Sequence, residues 1–291
     1  MAQSELEQFR LKIKQDYVRL LDLLCRVLRE SSPLSTTDLG DRERLSIAQG
    51  LTDKFVNHAV TLLYLSRGTK QDLPSFKFGL YDFASIDVLT RVLLEACLTF
   101  HYVFYAPTTK EEKDYRYGCY KAAGIAERQN APASTEEYRQ KQAEEREELN
   151  KLHGKLTSST IFQSLTDNQK KRILRGEWRL KSWREIAIDA GFSKILASDM
   201  YRSLSGQAHS SFLSVLQSLE TQKTKKQEET IISSMGIINP VIANMVREYC
   251  GLFPKAQEVL SRDKGGSDIM NWWIQIDRSL NELVREGQGN D

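Results

Sequence analysis

The sequence predicts an all-α fold, a multi-helix bundle with a long central buried helix and a charged helical hairpin protruding. Three observations predict it. Only 6 prolines interrupt 291 residues. No segment sustains the alternation of apolar and polar residues that marks a half-buried strand between turn signals. Apolar residues instead recur nearly everywhere at three- and four-residue steps, the spacing that gathers them on one face of a helix. The chain reads as a single helical unit over 1–291, with a core at about 42–106 and 157–250, the charged hairpin at 110–156 and a C-terminal helix at 267–286.

Taken in order, Leu6, Phe9, Ile13, Tyr17, Leu20, Leu21, Leu24 and Leu28 mark a long first helix. It stops near Ser31-Ser32-Pro33, because the residue before a proline is pushed out of the helical region. A second helix runs from about Asp41 through Leu51, Phe55, Ala59 and Leu62 to a stop at Arg67-Gly68. The third, roughly Leu80 to Tyr105, is apolar nearly all round and is expected to be the central one; Pro107 and Thr108-Thr109 end it. From Lys110 to Leu156 the composition turns to Glu, Lys, Arg and Gln, with a break at Asn130-Ala131-Pro132-Ala133, which predicts two exposed helices. Ser182 and Glu185 have capping-box spacing for a short helix ending at Gly191. Another helix opens near Ser198 and runs past Leu219. The last two cover about Glu228 to Cys250 and Ser267 to Arg285, the latter bearing Trp272 and Trp273, before a polar tail after Glu286.

With 41 basic and 39 acidic residues the molecule is nearly neutral, so bulk charge selects no partner and any nucleic-acid footprint must be local. A hydrophobic fraction of 40% and a mean hydropathy of −0.47 suit a soluble globular chain. Cys25, Cys97, Cys119 and Cys250 lie far apart in helix-like segments, as free thiols in a reducing compartment do. The N-terminus carries charges where a signal peptide is apolar, and the run from Ala96 to Ala106 is too short to span a bilayer and contains His101. A cytoplasmic location without membrane attachment is therefore expected. No phosphate-binding loop, dinucleotide fingerprint or nucleophile elbow occurs, and no Glu-x-x-His pair, so neither metal nor other cofactor is expected.

Two polar constellations stand out. Asp87, Arg91 and Glu95 follow one another at four-residue steps on the most apolar helix, where charges must be paired or cost several kcal/mol each. A buried ion network that fixes packing is one reading; a site built by Arg91 or Glu95 against a neighbouring helix is the other. The second constellation is Tyr201-Arg202-Ser203-Leu204-Ser205-Gly206-Gln207-Ala208-His209. On a continuous helix Arg202 and His209 lie two turns and only about 20° apart, with Ser205 between them. Leu204, Ala208, Phe212, Val215 and Leu219 form an adjoining apolar stripe, which puts the pair at the edge of a buried face. An arginine can hold a phosphate through its fork of donors and a histidine can move a proton near neutral pH, the minimum for cleaving a phosphodiester without a metal. The bland alternative is a histidine bonded to a neighbouring helix and an arginine at the surface.

Together, Arg91-Val-Leu-Leu-Glu95 and Tyr201-Arg202-Ser-Leu-Ser205-Gly-Gln-Ala-His209 resemble a family of uncharacterised bacterial helical proteins that combine an R-x-x-x-E helix with a later Y-x-x-x-S-x-x-x-H helix. The second segment also resembles the signature of the HEPN superfamily, an arginine and a histidine four to six residues apart; six residues separate Arg202 from His209. The resemblance implies a dimerising helical bundle, often a metal-independent endoribonuclease of phage-defence or toxin systems, with the cleft shared by a homodimer. It implies that Arg202 binds the scissile phosphate and that His209 is the general base or acid for attack by the RNA 2′-hydroxyl. Glu95 is read beside them as the orienting group, with Tyr201, Ser205 and Arg91 in support.

RNA binding has a second source in the residues. Lys170, Lys171, Arg172, Arg175, Arg179, Lys181 and Arg184 stand close in sequence against one acid, Glu177, with Trp178 and Trp183 interleaved. Cations attract phosphates and indoles stack on unpaired bases, a mixture suited to single-stranded RNA. A solvated helix with inward tryptophans is the alternative. Two other functions compete. Glu185 to Met200 aligns to a helix-turn-helix, with Ala187 and Gly191 at the small and turn positions, which would make a DNA-binding regulator. A non-catalytic helical scaffold, or an RNA- or protein-binding module, is the other.

Overall fold

The computed structural model describes residues 3–31, 38–209, 211–224 and 226–288, and these form thirteen α-helices, two π-helical segments and one two-stranded antiparallel hairpin. The all-α expectation holds. The residues separate into two compact units, 1–100 with 183–291, and 101–182, where the sequence reads as one.

In the larger unit α1 (Gln3–Glu30) and α2 (Leu39–Leu65) precede a β-hairpin, β1 (Thr69–Leu73) and β2 (Phe76–Leu80). Thr69 pairs with Leu80 and Leu73 with Phe76. Ser32 and Pro33, in the expected stop of the first helix, lie outside the described residues. Gly68, at φ +79°, ends α2 in a conformation that favours glycine. Next come α3 (Phe83–Phe100), the short α8 (Trp183–Asp189), a π-helical segment Ile195–Met200, α9 (Tyr201–Ala208), α10 (Phe212–Thr224), α11 (Gln227–Leu252), α12 (Pro254–Arg262) and α13 (Lys264–Gln288).

The core of this unit is the packing of α3 and α1 on α11, with α2 against α3. Leu93, Leu94 and Leu98 of α3 and Val241, Ile242 and Met245 of α11 are fully or almost fully buried. The long central helix is thus one of two, and α11 is the more completely enclosed. Among the described helices α11 alone is long and apolar enough to cross a membrane, and 72% of its apolar window is buried in the protein. Polar groups tie the helices where apolar contact alone would leave them free to slide. The Tyr17 hydroxyl donates to the Ala59 carbonyl at 2.8 Å, and Asn239 Nδ2 to the Ile13 carbonyl at 3.1 Å.

The smaller unit holds a π-helical segment (His101–Tyr105), α4 (Lys110–Gln129), α5 (Glu136–Ser158), α6 (Thr160–Gln163) and α7 (Asp167–Leu174). The break between α4 and α5 falls where Asn130 and Pro132 predict it. Lys121–Glu148 and Arg128–Glu145 ion pairs join the two helices. The expectation of two exposed helices is corrected for α4, which buries Tyr115, Gly118, Cys119, Ala122 and Ile125. Tyr115, Cys119 and Ala122 form a separate core with Leu156, Phe162 and Ile173.

Candidate functional site

The seam between α3 and the end of α9 gathers two pairs of polar side chains, and the pairs lie more than a hundred residues apart in sequence. Arg91 and Glu95, one turn apart on α3, form an ion pair with Nε donating to Oε1 at 3.0 Å. The Tyr201 hydroxyl, from the first position of α9, donates to the same Glu95 oxygen at 2.9 Å. Arg91 Nη2 donates to the Tyr201 hydroxyl at 3.4 Å, and the guanidinium lies 5.4 Å from the centre of the phenol ring. Arg91 Nη1 and His209 Nε2 are 3.2 Å apart. A guanidinium has no acceptor, so Nη1 is the donor and Nε2 the acceptor, which leaves the ring proton on Nδ1 in this arrangement.

Local sequence explains why α9 delivers these groups. Ser205 donates through Oγ to the Tyr201 carbonyl at 2.8 Å, within the helix. The helix stops at Ala208, and His209 is its C-cap at φ −102°, with its N–H on the Ser205 carbonyl. The side chains of Arg91 and Glu95 are 19% and 29% exposed, whereas His209 is fully on the surface side of the cluster. The cluster is therefore half-buried with an imidazole at its solvent edge. Burial raises the Tyr201 hydroxyl above its usual range, and the bond to Glu95 raises it further. Burial opposes the charge on Arg91, but the Glu95 carboxylate outweighs it and holds the guanidinium above its usual value. At neutral pH, Arg91 is a fixed cation and Tyr201 a fixed donor.

Other expected site residues fall elsewhere. Arg202 is exposed, next to Tyr201, and makes no hydrogen bond or ion pair with a described residue. Glu95 hydrogen-bonds to Arg91 and Tyr201 and not to Arg202 or His209, so it orients the histidine only through Arg91. The three-member ion network is corrected. Asp87 pairs with neither residue and instead accepts from the Ser234 hydroxyl of α11 at 2.6 Å. The apolar stripe is corrected too. Leu204 is buried, but α9 ends at Ala208 and a separate helix, α10, begins at Phe212, where Phe212, Val215 and Leu219 are exposed; the side chain of Ala208 lies outside the described ones.

The basic stretch divides. Lys170, Lys171, Arg172, Arg175, Trp178, Arg179 and Lys181 belong to the smaller unit, and Trp183 and Arg184 to the larger, which also holds the Arg91 cluster. Trp178 is engaged edge-on with Tyr102 and Tyr120, at 5.9 and 5.3 Å between ring centres, and so packs within its unit rather than offering a free stacking face. Arg172 is paired with Glu177 at 2.7 Å, Lys170 lies over the Phe162 ring and Arg179 donates to the Lys181 carbonyl. Lys171, Arg175 and Lys181 are exposed, and Trp183 is partly buried.

The would-be recognition helix of a helix-turn-helix is the π-helical segment from Ile195. The turn before it is bonded to α13. Asp277 accepts from the Ser193 amide and hydroxyl at 2.9 and 2.7 Å, and Asn281 from the Lys194 amide at 2.7 Å. Leu196 and Ala197 are buried. Burial pushes the Cys119 thiol up to about 11 and the Cys250 thiol up to about 12, so neither is a thiolate at neutral pH. Among the described residues no three of His, Cys, Asp and Glu converge closely enough to hold a metal ion.

In comparisons with known proteins, the model of a family of unknown function (DUF5677) matches residues 77–227, a segment that runs from the second strand to the first residue of α11 and contains Arg91, Glu95, Tyr201 and His209. No curated protein and no solved structure matches the chain.

Proposed function

The chain belongs to the DUF5677 family, and from the site within the matched segment we propose that it cleaves RNA phosphodiesters without a metal, as an endoribonuclease. The observation that carries the reading is the exposed His209 imidazole held through Nε2 by a guanidinium that Glu95 and Tyr201 fix in place. A proton-transfer group and an immobile anion-binding group then share one solvent edge.

The chemistry follows from that pairing. A substrate phosphate competes for Arg91 Nη1, which frees His209 Nε2 to accept the proton of the 2′-hydroxyl. The 2′-oxygen forms its bond to phosphorus while the bond to the 5′-oxygen breaks, and the proton passes to that 5′-oxygen. The products are a 2′,3′-cyclic phosphate and a 5′-hydroxyl. Arg202 lies outside the Arg91 cluster, exposed one residue after Tyr201 and without an ion-pair partner among the described residues, and in this reading it binds the phosphate from the solvent side. Glu95 and Tyr201 are positioning residues. Against a scaffold and against a DNA regulator alike, the reading demands RNA cleavage.

The test is incubation of purified protein with single-stranded RNA in EDTA, with the product ends identified. Cleavage that leaves a 2′,3′-cyclic phosphate or its hydrolysis product is expected. His209→Ala should abolish it with the fold intact, and Arg202→Lys should lower it by about tenfold or more, because a point charge does not reproduce the guanidinium fork. Cleavage only on addition of a divalent metal would show this mechanism to be wrong, and protein that neither binds nor cuts RNA would favour the scaffold.

A further inference from the structure

At the amino end of α3 the larger unit has a cavity of about 690 Å³ that no part of the proposed cleavage chemistry uses. It lies between the end of α2, the base of the β-hairpin, the start of α3 and the residues Ser218 of α10 and Gln227 of α11. Its volume falls in the range of small-molecule sites. Arg67 and Lys70 line it, both exposed and neither paired with a described residue. Among the described lining residues the single acid is Asp82, whose Oδ1 accepts from the Ser85 amide at 3.1 Å. The cavity is therefore electropositive at its rim.

An aromatic ring is held in the same wall. Tyr81 is 40% exposed, and its ring rests on Gly68: a Cβ there would meet three ring carbons at 3.0–3.4 Å. The left-handed backbone at Gly68 and the missing side chain together leave room for the ring. Two cations without a partner among the described residues, beside a seated aromatic ring, match a ligand with a π-system at one end and a phosphate at the other.

We infer that this cavity binds a nucleotide, with its base on Tyr81 and its phosphate on Arg67 and Lys70. Free nucleotide and one residue of an RNA strand present the same chemistry. The strand form rests on the cleavage reading above: Phe83, in the cavity wall, is eight residues from Arg91 on α3, a rise of about 12 Å. Ser218 brings α10, the helix that follows His209, to the same cavity.

Calorimetric titration of the full chain with adenosine 5′-monophosphate, with inorganic phosphate, and with a 2′-O-methyl RNA of about ten nucleotides tests the inference, since none of these is cut by 2′-hydroxyl attack. The nucleotide should bind, and Arg67→Gln and Tyr81→Ala should each weaken it by about fivefold or more. Tyr81→Phe keeps the ring and should bind like the parent, which separates loss of stacking from loss of fold. Inorganic phosphate should respond to Arg67→Gln and not to Tyr81→Ala. A decamer weakened by Tyr81→Ala assigns the site to a strand; an unaffected decamer beside an affected mononucleotide assigns it to free nucleotide. Absence of nucleotide binding, or nucleotide binding indifferent to both Arg67→Gln and Tyr81→Ala, overturns the inference. None of these titrations reads cleavage, so a protein that cuts no RNA yet binds the nucleotide in this pattern removes only the nuclease reading.

Discussion

Arg91 shows what a single residue reveals only in three dimensions. Its four-residue spacing to Glu95 is plain in the sequence, and so is the pair's unusual place on an apolar helix. Its contact with His209 is not, because that bond spans 118 residues. The sequence reading gave the phosphate-binding role to Arg202 and left Arg91 in support, whereas the geometry makes Arg91 the group that touches the histidine. Tyr201→Phe should expose this dependence. It removes the donor to Glu95 while keeping the ring under the guanidinium, and should cost about 1 kcal/mol of stability. A chemical-denaturation midpoint moved by that amount, with cleavage lowered by more than the folded fraction explains, is the expected result. Asp87 makes a separate prediction. Burial lifts its carboxyl to about 6, with the Ser234 hydroxyl pulling the other way. The folded chain then holds a proton between about pH 4 and 6 that the unfolded chain has released, so this group's contribution falls as pH rises through that window. Above about pH 7 the full penalty, about 2–3 kcal/mol, is present. Asp87→Asn keeps an acceptor for Ser234 without the charge. It should raise stability at pH 8 by about that amount, little at pH 4, and melts at the two pH values check the difference.

Elements were legible where their apolar period was long and their ends carried turn residues. The stops at Gly68, Pro107 and Asn130, and the spans of α1, α2 and α11, agree with the sequence to within a few residues. The β-hairpin was missed although Phe76, Phe78 and Leu80 alternate with Lys77 and Gly79, because five residues of alternation are too few to stand against helices on both sides. α12 was missed because nine residues span fewer than three turns, although Ala256 and Leu260 mark a buried side. The most consequential miss is the end of α9 at Ala208. The apolar spacing from Leu204 to Leu219 continues a single helix on paper, yet α9 ends at Ala208 and α10 begins at Phe212. Ser211 caps α10: its Oγ accepts from the Ser214 amide at 3.3 Å and its carbonyl from the Val215 amide at 3.1 Å. Serine before Phe212-Leu213 was the available signal. Ser211→Ala should therefore cost about 1 kcal/mol and loosen the start of α10. Because His209 lies two residues away, amide exchange should rise at 212–216 and cleavage should fall together; faster exchange with unchanged cleavage would separate the cap from the site.

For the whole molecule, the scarcity of proline and the three- and four-residue apolar spacing were enough to predict a bundle, but not that the described residues divide their apolar groups between two cores. The reason is visible in α4 and α5. Their surfaces are so rich in Glu, Lys and Arg that the small apolar set of Tyr115, Cys119, Ala122 and Leu156 is diluted, and its partners Phe162 and Ile173 arrive only after a turn. Two capping boxes, Thr109 with Glu112 and Thr166 with Gln169, define helix starts in this unit independently of any apolar pattern. A separate core has a measurable consequence. Phe162 is 5% exposed, and Phe162→Ala should cost about 3–5 kcal/mol of the local stability by leaving a cavity among these residues. Units with their own cores open as separate cooperative blocks, so the loss should stay local. Native-state hydrogen exchange should then accelerate by about two orders of magnitude or more across α4 to α7, while the slowest amides of α3 and α11 keep their protection. An equal loss of protection in α3 and α11 would show that the chain opens as one block despite its two cores.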